Sequence, residues 1–110
     1  VATALAADDL DAAQAGAKQL AALPGAAAED AARIASATDI DNARMAFGEV
    51  SRAVIAAVAA DQGLAATLIC YRCPMAKGYK KWLQKTDASM ANPYMGEKML
   101  QCGGKVALEP

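Results

Sequence analysis

The chain has 110 residues, a formal net charge of −1 and no histidine, and 55% of it is hydrophobic. A balance so near neutrality gives no basic surface with which to displace counterions from nucleic acid, and no apolar run approaches the ~18–20 residues needed to cross a bilayer. The length suits one domain that buries a modest core without a metal to fold around. Much of the hydrophobic fraction is alanine and only five residues are aromatic, so close contacts between slender helices are expected. The chain begins at Val1 with neither initiator methionine nor signal peptide, which reads as a mature protein or a domain cut from a larger one.

Residues 1–62 read as helix almost throughout, because alanine has the highest intrinsic helix propensity and the preference accumulates over such windows. Leu10, Ala13, Ala17 and Leu20 recur at helical spacing, with Asp8, Asp9 and Asp11 at the end where the helix dipole favours negative charge. Pro24-Gly25 stops this helix, and a second runs from about Ala26 to Ala35. A third begins near Thr38 as N-cap, with Asp41 as a weak capping-box partner. Its apolar stripe is Ile40, Ala43, Phe47, Val50, Val54, Ala57 and Val58, and Gly63 ends it.

After Gly63 the composition changes. Residues 65–71 favour a short strand, Pro74 and Gly78 break regularity, and Lys80–Lys85 suggests a helical turn around Trp82. Asn92-Pro93 signals a helix start, for a helix carrying Met95, Met99 and Cys102 up to Gly103-Gly104. Lys105–Leu108 is a candidate strand to pair with 65–71. The expected fold is therefore mainly α: an antiparallel bundle of three to four helices over residues 1–63. A small sulfur-bearing subdomain over 64–110 follows, with room for a short β-hairpin, in one domain spanning 1–110.

Sulfur is concentrated in that second part. All three cysteines and four of the five methionines fall between Cys70 and Cys102. Thiolates and thioethers favour soft ions such as Cu(I), whereas hard ions prefer oxygen. On the expected helix Met95, Met99 and Cys102 share a face. Cys73 and Met75 project from a loop, and packing it against the helix would gather Cys73, Met75, Met99 and Cys102 around Cu(I) or Ag(I). Lys77, Lys80 or Lys81 would offset the negative charge of two thiolates on one monovalent ion. Zn(II) suits the chain less, since structural zinc takes four cysteine or histidine ligands, and no carboxylate cluster suits Ca(II) or Mg(II).

The blander readings are core packing for Met95, a loop position for Met90 and a buried apolar role for Cys70. Trp82 and Tyr94 are expected to anchor the C-terminal half over the helices. Cys70-Tyr71-Arg72-Cys73 is also a C-x-x-C, but the helix start and βαβ setting of a dithiol oxidoreductase are missing and Pro74 opposes them. A Cys70–Cys73 or Cys73–Cys102 disulfide is the alternative use of the thiols. With no histidine base, nucleophile elbow or phosphate-binding glycine loop, the chain does not read as an enzyme.

Cys73-Pro74-Met75, Trp82-Leu83-Gln84, Asn92-Pro93-Tyr94-Met95-Gly96 and Met99-Leu100-Gln101-Cys102-Gly103 together resemble a known family. It is the periplasmic heavy-metal-binding domain appended to CusB-like copper/silver efflux adaptor (membrane-fusion) proteins, also found free-standing. The resemblance implies a periplasmic, non-enzymatic module that binds Cu(I) or Ag(I) through Cys73, Met75, Met99 and Cys102. Its partners would be an efflux adaptor and pump or a periplasmic metallochaperone. Cys70 lies outside the family's motif and can compete for metal or form a disulfide. A structural interaction module and a thiol redox protein remain as alternatives.

Overall fold

The computed structural model describes the backbone of residues 1–21 and 28–110, and the side chains of 1–19 and 28–110. The expected stop at Pro24-Gly25, the helix start at Ala26 and the side chain of Leu20 lie outside the described residues. Among these, the helices are α1 (Ala2–Ala6), α2 (Leu10–Ala21), α3 (Ala28–Ala35), α4 (Ile40–Ala59) and α5 (Gln62–Ala65). The strands are β1 (Leu68–Arg72), β2 (Lys81–Lys85) and β3 (Gly104–Val106), with a 3-10 turn at Glu97–Met99.

Aspartates set the helix starts. Asp9 accepts from the Ala12 N–H at 3.0 Å, Asp39 from Asn42 at 2.8 Å and Asp61 from Leu64 at 3.2 Å. Each satisfies a donor the first helical turn cannot. The cap of α4 is thus Asp39 rather than Thr38. Asp61 starts a short new helix that contains Gly63, so α4 ends at Ala59. Asp8, at φ 57°, separates α1 from α2.

The buried face of α4 begins as the stripe predicts, at Ala43, Phe47 and Val50, shifts to Ser51 and Ile55, and rejoins the stripe at Val58. Val54 is left exposed. The shift follows the sheet, which packs across this end of the helix: the Ser51 hydroxyl donates to the Lys81 carbonyl at 2.6 Å. Tertiary contact here overrides simple periodicity.

The expected helical bundle is corrected by the second half of the chain, which makes a helix-plus-sheet fold. Its sheet is antiparallel throughout, in the order β2-β1-β3. Leu68 pairs with Lys85 and Arg72 with Lys81 on one side of β1, and Cys70 pairs with Val106 on the other. The helical turn expected at 80–85 is strand β2, because all five of its residues pair with β1. Trp82 is fully buried and stacks on its cross-strand partner Tyr71, with centroids 5.5 Å apart. The strand expected at 105–108 begins one residue earlier and ends at Val106.

The helix expected from Pro93 to Cys102 is absent too. Asn92 does cap, its Oδ1 accepting from the Tyr94 N–H at 2.8 Å. The turn it caps leads away, however, because the Pro93 carbonyl accepts from Arg44 Nε at 2.9 Å and the Asn92 N–H donates to the Leu100 carbonyl at 2.9 Å. Residues 92–102 therefore close into a loop.

One core unites the two halves. Leu5, Ala13, Ala17, Ala31, Ile34, Ala43, Phe47 and Val50 meet Tyr71, Cys73, Ala76, Trp82 and Tyr94. Tyr94 lies edge-on to Trp82 at 6.0 Å and tilted against Phe47 at 5.6 Å. Each such aromatic pair is worth ~0.5–1.5 kcal/mol beyond its buried area. In an alanine-rich chain these few rings fix how the sheet sits on the helices.

Candidate metal centre

Two loops converge at the end of β1. Cys73 follows Arg72 directly, and its N–H donates to the Lys80 carbonyl at 2.9 Å, extending the β1–β2 ladder by one bond. Its carbonyl accepts from Ala76 at 3.3 Å, which turns the chain back. Lys80 Nζ donates to the carbonyls of Pro74 (3.3 Å) and Ala76, either side of Met75. Lys80 thus holds this loop, whereas its neighbour Lys81 reaches the Glu109 carbonyl at 2.8 Å.

The second loop is organised by Asn92, which is fully buried. Its Nδ2 donates to the Cys102 carbonyl at 2.7 Å, and the Cys102 N–H donates to the Met99 carbonyl at 3.1 Å. Gly103, at φ 132°, then lays the chain against β1. A Cβ there would stand 2.6 Å from the Arg72 carbonyl oxygen and 3.3 Å from the Trp82 ring. Only glycine permits that approach, and the approach sets Cys102 beside Cys73. Gln84 supports the connecting segment: its Oε1 accepts from Trp82 Nε1 and the Ala91 N–H, both at 2.8 Å, and its Nε2 donates to the Ser89 carbonyl.

The result is a thiol pair, with Cys73 Sγ 3.7 Å from Cys102 Sγ. Cys73 is fully buried and Cys102 half-buried. The separation is far beyond a sulfur–sulfur bond of ~2.05 Å. It matches the edge of a metal–thiolate tetrahedron, since two sulfurs ~2.3 Å from one ion at a tetrahedral angle lie ~3.8 Å apart. The hydrogen bond to Cys73, and after it burial, push the Cys102 thiol above its ordinary pKa. A thiol raised in this way gives up its proton only on coordination, so an ion seated at Cys102 would displace it.

Cys70 is buried on β1, where desolvation raises its thiol pKa despite the opposing charge of Lys81. Its polar contact is the Tyr71 carbonyl, at 4.0 Å. The thiol facing Cys73 is thus Cys102 rather than the C-x-x-C partner.

The methionines divide. Met99 is 38% exposed on the 3-10 turn three residues before Cys102. Met75, two residues after Cys73, is 62% exposed and lines a cavity of about 520 Å³ with Met45 and Met95. Met99 is not among the side chains lining that cavity. Met90 and Met95 pack partly buried against the core. Of the four expected ligands, the fold brings Cys73 and Cys102 together and leaves both thioethers at the surface of the two loops that carry them. Among the described residues no three His, Cys, Asp or Glu side chains are grouped to hold one ion. Donors beyond the thiol pair would be methionine sulfur.

Sequence reasoning missed Asn92 as the organiser of the second loop, Gln84 as its support and Met45 as a cavity residue. The Asn-Pro pair was a true capping signal attached to the wrong element. Met45 lies off the buried stripe of α4, and an off-stripe methionine was the available sign. No family model, curated protein or solved structure matches this chain.

Proposed function

We propose that the protein is a non-enzymatic module that binds Cu(I) or Ag(I) as cargo at the Cys73–Cys102 pair. The observation carrying this reading is the 3.7 Å separation of two reduced sulfurs held by separate loops. Met75 and Met99 sit on those same two loops and are exposed enough to add thioethers to an ion seated between the thiols. Thioethers bind without losing a proton and are readily displaced, so the ion can leave by stepwise ligand exchange to an acceptor. The likeness of the Cys-Pro-Met, Trp-Leu-Gln, Asn-Pro-Tyr and Met-Leu-Gln-Cys-Gly segments to the heavy-metal-binding domain of copper/silver efflux adaptors supports the same reading. On that likeness the module works in the periplasm, in efflux or resistance, and its acceptors are an adaptor–pump complex or a metallochaperone. No helix among the described residues is long and apolar enough to cross a membrane.

Anaerobic titration of Cu(I) against a competing chelator tests the proposal. We expect tight one-to-one binding in the parent protein. It should be lost in Cys102→Ser, whose side chain is only half-buried, and in Cys73→Ser once circular dichroism shows that variant folded. Unchanged affinity in both variants would overturn it.

The 3.7 Å pair also favours a second reading, in which the two thiols form a structural cross-link on oxidation. In that case metal affinity is negligible in the reduced protein, and unfolding shifts to higher denaturant on oxidation of the parent but not of Cys102→Ser.

A further inference from the structure

Three of the five methionines face one cleft: Met45 from α4, Met75 from the loop after β1 and Met95 from the loop after Pro93. Filling the core accounts for buried methionine. It does not account for Met45 and Met75, which are 47% and 62% exposed at an open cavity.

The placement is built into the backbone. Gly78, at φ 70°, lies so close to α4 that a Cβ there would stand 2.9 Å from Met45 Cε and 3.1 Å from its Sδ. At Gly48, one helical turn on, a Cβ would meet that of Tyr79 at 3.0 Å. The loop carrying Met75 is thereby pressed onto the helix beside Met45, with Lys80 fastening its carbonyls.

The electrostatics suit a small cation bound by neutral donors. The Arg44 guanidinium at the cleft wall is engaged by Asp8 at 2.7 Å, and the Asp41 carboxylate and Lys77 ammonium at the cleft offset each other. The other donors lining the cleft include three thioethers, polarisable sulfur on side chains with three rotatable bonds. Soft sulfur donors select Cu(I) and its relatives over the hard ions that oxygen holds.

We propose that Met45, Met75 and Met95 form a second soft-cation site, a thioether seat for Cu(I) or Ag(I) that needs no thiol. It goes beyond the thiol-pair reading and shares Met75 with it. Cleft and thiol pair are thus neighbouring stations for a monovalent soft ion, linked by the side chain two residues after Cys73.

The probe is Ag(I), added to the full chain labelled with carbon-13 at the methionine methyls, so that nuclear magnetic resonance reports all five thioethers separately. In a thiol-free chain carrying Cys70→Ala, Cys73→Ala and Cys102→Ser, one equivalent should shift the Met45, Met75 and Met95 methyls together and saturably, leaving Met90 in place. Replacing Met45 and Met95 by leucine should weaken that binding by at least about tenfold. If the thiol-free chain does not fold, the second equivalent of Ag(I) added to the unsubstituted protein is read at the Met45 and Met95 methyls, which should shift only then because Met75 is shared with the thiol pair. Met45 and Met95 methyls that stay put, or equal drift of all five, overturn the proposal. The thiol-pair reading fails separately, through unaltered first-equivalent affinity in Cys102→Ser.

Discussion

At the scale of single residues, the candidate centre depends most on two that cannot bind metal. Asn92 is fully buried with its backbone N–H, Oδ1 and Nδ2 all engaged, the last on the Cys102 carbonyl. Asn92→Ala strands the Tyr94 N–H and the Cys102 carbonyl, and each buried group left unpaired costs ~1–3 kcal/mol. The expected loss of stability is about 2–4 kcal/mol by urea denaturation, with faster labelling of Cys102 by a thiol reagent as its loop loosens. An unchanged midpoint and labelling rate would remove Asn92 from this role. Gly103→Ala attacks the same juxtaposition from the backbone, through a Cβ 2.6 Å from the Arg72 oxygen. At φ 132° it should cost about 1–3 kcal/mol and weaken Ag(I) binding in parallel, which isothermal titration would show.

At the scale of elements, β2 decides the fold. Trp82 is fully buried between Tyr71 and Tyr94, so Trp82→Ala should cost about 3–5 kcal/mol in chemical denaturation. Lys85→Ala, at the exposed end of the same strand, should move the midpoint hardly at all. The longer helices were legible in the sequence because alanine and spaced apolar residues agree, whereas the cap at Asp39 and the breaks at Asp8 and Asp61 were not. Strand β2 was not, since Lys-Trp-Leu-Gln-Lys is short enough to fit a helical turn as well as a strand. Only its pairing with β1 and the stacking of Trp82 on Tyr71 choose between them. The Pro93 segment departs for a related reason: Asn92 does cap a turn, but Arg44, distant in sequence, and Leu100, further along the same loop, redirect its backbone. The thiol pair survived this error because Gly103 and Asn92 bring Cys102 to Cys73 without a helix. Met45 stayed hidden because its partner loop comes from thirty residues away and reaches it only where Gly78 permits.

At the scale of the whole molecule, a clamp ties the N-terminal helices to the sulfur loops. Arg44 Nη2 donates to Asp8 at 2.7 Å and to the Leu5 carbonyl at 2.8 Å, and its Nε donates to the Pro93 carbonyl. The Asp8 carboxylate also accepts from the Glu97 N–H at 2.9 Å. The Glu97 N–H first, and the Arg44 hydrogen bond next, hold Asp8 below the usual carboxylate range against a smaller opposing effect of burial, with the charges of Arg44 and Lys98 adding to the lowering. A carboxyl whose folded-state pKa is depressed binds protons more readily when the chain is unfolded. Its contribution is therefore complete above the unfolded value near pH ~3.9 and is lost as pH falls through the folded one. The Asp8 side chain is 46% exposed, so solvent screening limits the contribution to about 1 kcal/mol. Urea unfolding of the metal-free protein between about pH 6 and about pH 2 should show stability falling on the acid side, and Asp8→Asn should flatten that fall. Arg44→Ala should flatten it only in part, because the larger cause of the depression is the backbone donor of Glu97, which that substitution leaves in place. An acid limb identical in all three proteins would show that the joint between the helices and the sulfur loops is held by packing alone.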